Sequence, residues 1–266
     1  MMVISKHSKK IQGEQYCSEY DINMSMLKKI TRKGFWLKYR NQFVIYMILS
    51  FGMIFLTSIL FLANPQIFKF FIGPLNPILI IIFIALLGSA FLIVLASGGF
   101  LEKHKSKNLK LMLISLVIAP YLASIVILID IVFRYPENIN VLFPQSLIFY
   151  LVIAFAVEVL FHLIPFALLL IALTKVFHDT DRNKTMQISI ALGSFIEPIY
   201  QMIIAFPEGF PLWNIIYFFG IHLVLFNVIQ LNLFRHYGFL SMFLFRLIYY
   251  AIWHIIWGYF RLVLFF

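Results

Sequence analysis

The stretch NPILIIIFIALLGSAFLIVLASG, residues 76–98, carries no charged side chain. As a helix rising about 1.5 Å per residue it would be roughly 34 Å long, enough to cross the roughly 30 Å hydrocarbon layer of a bilayer. Backbone groups in hydrocarbon have no water to bond, so a spanning segment satisfies them within itself as a helix or within a closed barrel. A barrel strand would show about ten residues of alternating polarity, which this run does not. Residues 76–98 are therefore read as a transmembrane helix.

Six further apolar segments flank it, at roughly 42–63, 110–133, 145–176, 187–206, 212–234 and 238–265. The whole chain of 266 residues is 62% hydrophobic and 12% charged, with a mean hydropathy of +0.95. Soluble domains hold about twice that share of charge. The expected fold is all-α: a polytopic integral membrane helical bundle of about seven transmembrane helices. Residues 1–40 read as a basic N-terminal segment, 41–140 as N-terminal membrane helices and 141–266 as the core. The fourth segment is long and contains Pro165, which removes a helical hydrogen bond and should kink or break the helix.

Net charge is +10, but its placement argues against nucleic acid as a partner. The basic residues lie between apolar runs, where they set topology and contact anionic lipid. Residues 1–40 hold Lys6, Lys9, Lys10, Lys28, Lys29, Arg32, Lys33, Lys38 and Arg40. The next connection has only Lys69, and the one after it has Lys103, Lys105, Lys107 and Lys110. Arg134 then stands alone, followed by Lys175, Arg182 and Lys184, by a connection at 207–211 without a basic residue, and by Arg235. The positive-inside rule puts the N-terminus in the cytoplasm and the C-terminus outside. The polar start of the chain is not a signal peptide. Within it, Met24–Tyr39 could form an amphipathic interfacial helix or remain a lipid-attracted tail. Richness in Phe, Ile, Lys and Asn resembles that of AT-rich bacterial genomes, so the expected location is a bacterial plasma membrane. Cys17 is the single cysteine, which excludes an internal disulfide and a cysteine-based metal site.

Ionisable groups within spans are costly and mark candidate function. Glu158 and His162 stand four apart, on one helix face. Glu197 and Gln201 repeat that spacing, and Arg246, Tyr250 and His254 extend it over a third segment. His222, Asn227 and Gln230 lie in the sixth. Bundling these stripes inward would enclose a polar chamber. The plainer reading makes Arg246 the buried counter-ion of Glu158 or Glu197, and Asn227 and Gln230 interhelical glue. Asp130 and His236 read as interfacial. His178-Asp-Thr-Asp181 reads as a turn or cap rather than a cation site.

The stretch Ala156-Val-Glu-Val-Leu-Phe-His162 resembles the Glu-Glu-x-x-x-Arg motif of the CPBP family, the CAAX-protease and bacteriocin-processing membrane proteins. The stretch Leu233-Phe-Arg-His-Tyr-Gly238, with Arg246 and Trp253-His254 beyond it, resembles the family's last segment. The resemblance covers roughly residues 145–260. It implies an intramembrane metallo-endopeptidase in which Glu158 and His254 are catalytic. Glu158, His162, His222 and His254 would then hold one divalent metal, zinc or similar, with Glu197, Gln201 and Arg246 in support. Such a metal lowers the pKa of bound water toward neutrality. The chain departs from the pattern: Val157 replaces the first Glu, His162 the Arg, and Gly258 the final Asn or Asp, and the Phe-x-x-x-His motif is absent from the fifth segment. The resemblance therefore leaves two readings. One is a divergent peptidase cutting a membrane-associated peptide. The other is a non-catalytic relative that binds a peptide or membrane partner, as in bacteriocin immunity or regulation. A transporter, a lipid-modifying enzyme and a structural membrane subunit are readings from other classes.

Overall fold

A computed structural model describes residues 33–101, 109–135, 140–177, 181–204, 212 and 216–265. The Met24–Tyr39 expectation falls largely outside them; from Lys33 onward the chain is helical. The elements used here are α1 (Lys33–Ala63), α2 (Pro77–Ser97), α3 (Leu109–Phe133), α4 (Gln145–Val176), α5 (Arg182–Gly193), α6 (Ile196–Ile204), α7 (Ile216–Tyr237) and α8 (Phe239–Phe265). Short helical turns at Pro65–Phe68 and Lys69–Ile72 join α1 to α2.

Among the described residues six helices are long and apolar enough to cross a membrane: α1, α2, the part of α3 from Leu116, α4, α7 and α8. The fold is a helical membrane bundle, and its polarity is inverted relative to a soluble protein. Large apolar side chains such as Phe51, Phe55, Leu62, Phe83, Val132 and Leu264 face outward. Glu158, Glu197, Arg246, Asp130, Arg261, Asn227 and Gln230 are at most 2% exposed. A bilayer is the environment that makes such an exterior favourable and such an interior necessary.

The fifth apolar segment does not form one helix. It divides at Ser194-Phe195 into α5 and α6, and Pro198 supplies the reason. Proline has no N–H to return to the carbonyl four residues earlier, and its ring crowds that carbonyl. The carbonyl in question belongs to Ser194, and it instead accepts from the Asn227 side-chain amide of α7 at 3.1 Å. A broken backbone at membrane depth is tolerated when a neighbour re-satisfies it. Asp181 caps the start of α5, its side chain accepting from the Asn183 N–H at 3.0 Å.

Pro165 has a different outcome. α4 continues through it, but Glu158–Leu163 is wound as a wide π-type turn. The widening lets the helix carry a proline that can neither donate to the Phe161 carbonyl nor pack closely under it. Two more wide turns open α7 at Ile216–His222 and interrupt α8 at Ala251–Trp257. Each of the three contains one histidine: His162, His222 and His254.

Without a hydrophobic drive between helices in lipid, close approach depends on small residues and interhelical polar contacts. Gly88 of α2 illustrates both. A Cβ there would overlap the Tyr46 hydroxyl and Val159. The space it leaves lets Tyr46 of α1 donate to the Ala85 carbonyl at 3.1 Å. At the other critical glycine, Gly238, φ is +87°, and that left-handed turn takes α7 directly into α8 against Gln42.

Side-chain ties bring several connections to one end of the bundle. Arg182 donates to the Gly99 carbonyl, Arg235 to the Asn183 side chain at 3.1 Å, and Gln42 to the Tyr237 carbonyl at 3.5 Å. A second group of ties joins Asp130, Tyr135 and Asn140 to the end of α8.

Candidate functional site

The polar stripes converge, and Arg246 is their centre. Its Nε donates to Glu158 Oε1 at 2.6 Å. Its Nη1 and Nη2 form a fork on Glu197, 2.9 Å to Oε1 and 2.8 Å to Oε2. Nη2 also reaches Gln230 Oε1 at 2.8 Å, and Nη1 the Tyr250 hydroxyl at 3.2 Å. The planar guanidinium presents five donors in fixed directions, so one arginine can hold two carboxylates from different helices. Gln230 donates its amide to Glu158 Oε1, and Gln201 donates to Glu197 Oε1 at 2.9 Å.

His162 fills the other side. Its Nδ1 lies 3.4 Å from Glu158 Oε2 and its Nε2 3.5 Å from Glu197 Oε2. Neither approach is aligned as a hydrogen bond, so both ring nitrogens and Glu158 Oε2 lack such a partner. The cluster joins α4, α6, α7 and α8. The wide turn of α4 begins at Glu158 and carries His162, and the Pro198 break sets Glu197 at the start of α6.

Five of the sequence-derived site residues are therefore brought together: Glu158, His162, Glu197, Gln201 and Arg246. His222 and His254 belong to other surroundings. His222 Nε2 meets the Tyr249 hydroxyl at 3.3 Å, and its ring stacks on Phe218. His254 stacks on Tyr150 with ring centroids 4.5 Å apart and meets Tyr250 edge-on, while its backbone carbonyl accepts from Asn140 at 3.3 Å. Tyr250 thus stands between His254 and Arg246. Among the described residues, no three His, Cys, Asp or Glu side chains are grouped so as to hold a metal ion. The donor chemistry agrees, because Glu158 Oε1 and both Glu197 oxygens are already held by a guanidinium. A divalent cation bound there would face that fixed positive charge. In this arrangement those three carboxylate oxygens serve an arginine.

A second buried ion pair had no counterpart in the sequence reading. Asp130, expected at the interface, is wholly buried and paired with Arg261, whose Nε lies 2.9 Å from Oδ2. Trp257 Nε1 donates to Asp130 Oδ2 at 2.7 Å, and the Tyr135 N–H to Oδ1 at 2.7 Å. Arg261 also donates to Asn140 Oδ1 at 3.1 Å and to the Tyr135 carbonyl. Pairing every intramembrane charge with an opposite one would have found it. Once Arg246 is assigned to Glu158 and Glu197, Arg261 is the cation left in the closing segments for Asp130. Of the His178–Asp181 stretch, Asp181 is described, and it is a helix cap.

No protein-family model matches the chain, and neither a curated protein nor a solved structure is significantly similar to it. The fold and its burial pattern define the class of protein: a multi-pass helical membrane protein whose described residues enclose two ion clusters in the bundle.

Proposed function

We propose that this chain is a CPBP-like membrane protein of the non-catalytic kind, which binds a peptide or membrane partner without cutting it. One observation carries the reading: Glu158 is wholly buried, with Oε1 engaged by Arg246 and Gln230. A general base must reach the proton it removes. A carboxylate locked to a buried guanidinium is instead a structural anion. The separate placement of His254, against Tyr150 and Tyr250, supports the same conclusion. The metallo-endopeptidase alternative would require Arg246 to withdraw and His254 to approach.

We further propose that the chain crosses a bacterial plasma membrane seven times with its N-terminus in the cytoplasm, α5 and α6 together forming the broken fifth crossing. The support is the alternation of basic connections, together with the ties that place Arg182, Asn183, Gly99 and Arg235 at one end of the bundle. On this reading the chain leaves that end at Asn183, crosses in α5–α6 and returns through α7 to Arg235.

The test is a comparison of membrane-protein N-termini in cells expressing wild type, Glu158→Gln or His254→Ala at matched levels, with metal content measured on the purified chain. The expected result is no new terminus that depends on Glu158 and His254, and no stoichiometric zinc, cobalt or manganese. A terminus that appears with wild type and disappears in both variants would overturn the reading in favour of proteolysis.

A further inference from the structure

The two faces of α1 differ. Phe35, Tyr39, Tyr46, Ser50 and Met53 are buried against the bundle. Trp36, Arg40, Val44, Met47 and Phe51 recur three or four residues apart on the other face and are exposed. With Phe43 they line a groove of about 470 Å³, within the size range of small-molecule sites. The Trp36 and Phe43 rings stand 5.3 Å apart toward its N-terminal end. Arg40 is the one charged residue of the lining. Among the described residues no carboxylate pairs with it. No acidic residue stands between Asp21 and Glu102, and no charged residue between Arg40 and Lys69. Arg40 therefore marks where the polar start of the chain gives way to hydrocarbon. From Arg40 to Phe51 the helix rises about 16 Å, roughly half the depth of the hydrocarbon layer. The groove thus has a cation and an indole at its mouth and about one leaflet's depth of apolar wall below them.

We propose that this groove holds one anionic phospholipid, with its phosphate on Arg40 and an acyl chain laid along Val44, Met47 and Phe51. A guanidinium matches two phosphate oxygens with its fork of donors. Tryptophan favours the headgroup level, where Trp36 would flank the phosphate. Lys28, Lys29, Arg32 and Lys33 precede the groove in the sequence, and basic runs beside a span draw anionic lipid. Charge also decides against a second copy as the occupant. A two-fold dimer through this face would be isologous, and with parallel helices it would set the two Arg40 side chains side by side. No carboxylate in either lining would offset that repulsion. An extended peptide would find no backbone partners along the apolar wall. The groove lies apart from the central cluster, and the proposal holds whatever partner the chain binds there.

The experiment is native mass spectrometry of the full chain released from nanodiscs of equal parts dioleoylphosphatidylglycerol and dioleoylphosphatidylcholine. Wild type should retain one phosphatidylglycerol in preference to phosphatidylcholine. Arg40→Gln should lower that preference about five-fold, the worth of one basic residue beside an anionic surface. Arg40→Lys should keep most of it. Val44→Trp, which fills the groove, should release the lipid although every charge remains. Lys38→Gln is the control, because Lys38 lies off the groove with its Nζ 4.8 Å from the centre of the Tyr39 ring. Equal retention of the two lipids by wild type would overturn the proposal. So would an equal fall in Arg40→Gln and Lys38→Gln, which would trace the preference to overall surface charge. A dimer of the chain that Val44→Trp abolishes would assign the face to a second copy instead.

Discussion

Replacing Arg246 by methionine keeps most of the side chain's length and removes its charge. The structure sets the size of the effect. Five hydrogen bonds end on this guanidinium, from partners on α4, α6, α7 and α8, and two of those partners are carboxylates at most 1% exposed. Breaking a buried ion pair from one side costs about 3–5 kcal/mol, chiefly because the partner charge stays behind. With two carboxylates stranded, Arg246→Met should fall at the upper end, about 5 kcal/mol. The same argument predicts a rescue. Changing Glu158 and Glu197 to Gln in the Arg246→Met background removes the stranded charges and should recover most of the loss, leaving a deficit of about 1–2 kcal/mol. Equilibrium unfolding in mixed micelles, read by helix content, measures both. A loss below about 1 kcal/mol for Arg246→Met, or a triple variant no more stable than the single one, would refute the cluster as the electrostatic centre of the bundle.

The second cluster predicts that Trp257→Phe, which deletes the indole donor to Asp130, costs about 1.5–3 kcal/mol in the same unfolding assay. Gly88→Ala should cost about 1–3 kcal/mol by overpacking against Tyr46 and Val159, and Tyr46→Phe in that background should return part of it. Gly238→Ala should cost about 1–3 kcal/mol, since its φ of +87° disfavours a Cβ and Gln42 occupies the space. For topology, single cysteines in a Cys17→Ser background should label from opposite sides: position 184 from the cytoplasm, position 74 from outside. Labelling of both from one side would overturn the proposed orientation.

The membrane class was legible because hydrocarbon imposes length and polarity on each segment separately, and a run such as 76–98 satisfies those rules by itself. The inward convergence of Glu158, His162, Glu197, Gln201 and Arg246 was legible too, since i, i+4 spacing places side chains on one face without reference to the rest of the fold. What the two prolines do was less readable. Pro165 and Pro198 present the same local problem, yet one helix widens and the other breaks. The difference lies partly in Asn227, which reaches the Ser194 carbonyl from another helix. Long-range partners of this kind leave no periodic mark. The same limit applies to His222 and His254, whose aromatic surroundings are set by wide turns that shift register, and to Asp130 and Arg261, 131 residues apart.

The central cluster has a consequence for synthesis. Glu158 precedes Arg246 by 88 residues and Glu197 precedes it by 49. At about 5–20 residues per second, the first carboxylate waits roughly 4–18 s for its counter-ion to be made. A carboxylate at the centre of a lone helix costs about 2.5–3.5 kcal/mol on insertion scales. α6, short and opening on Glu197, has little apolar length to offset that cost. The fifth segment is therefore expected to stay in a polar setting beside the insertion machinery until the last helix is delivered. A ribosome stalled before α8 would leave Glu158 and Glu197 without the arginine that pairs them.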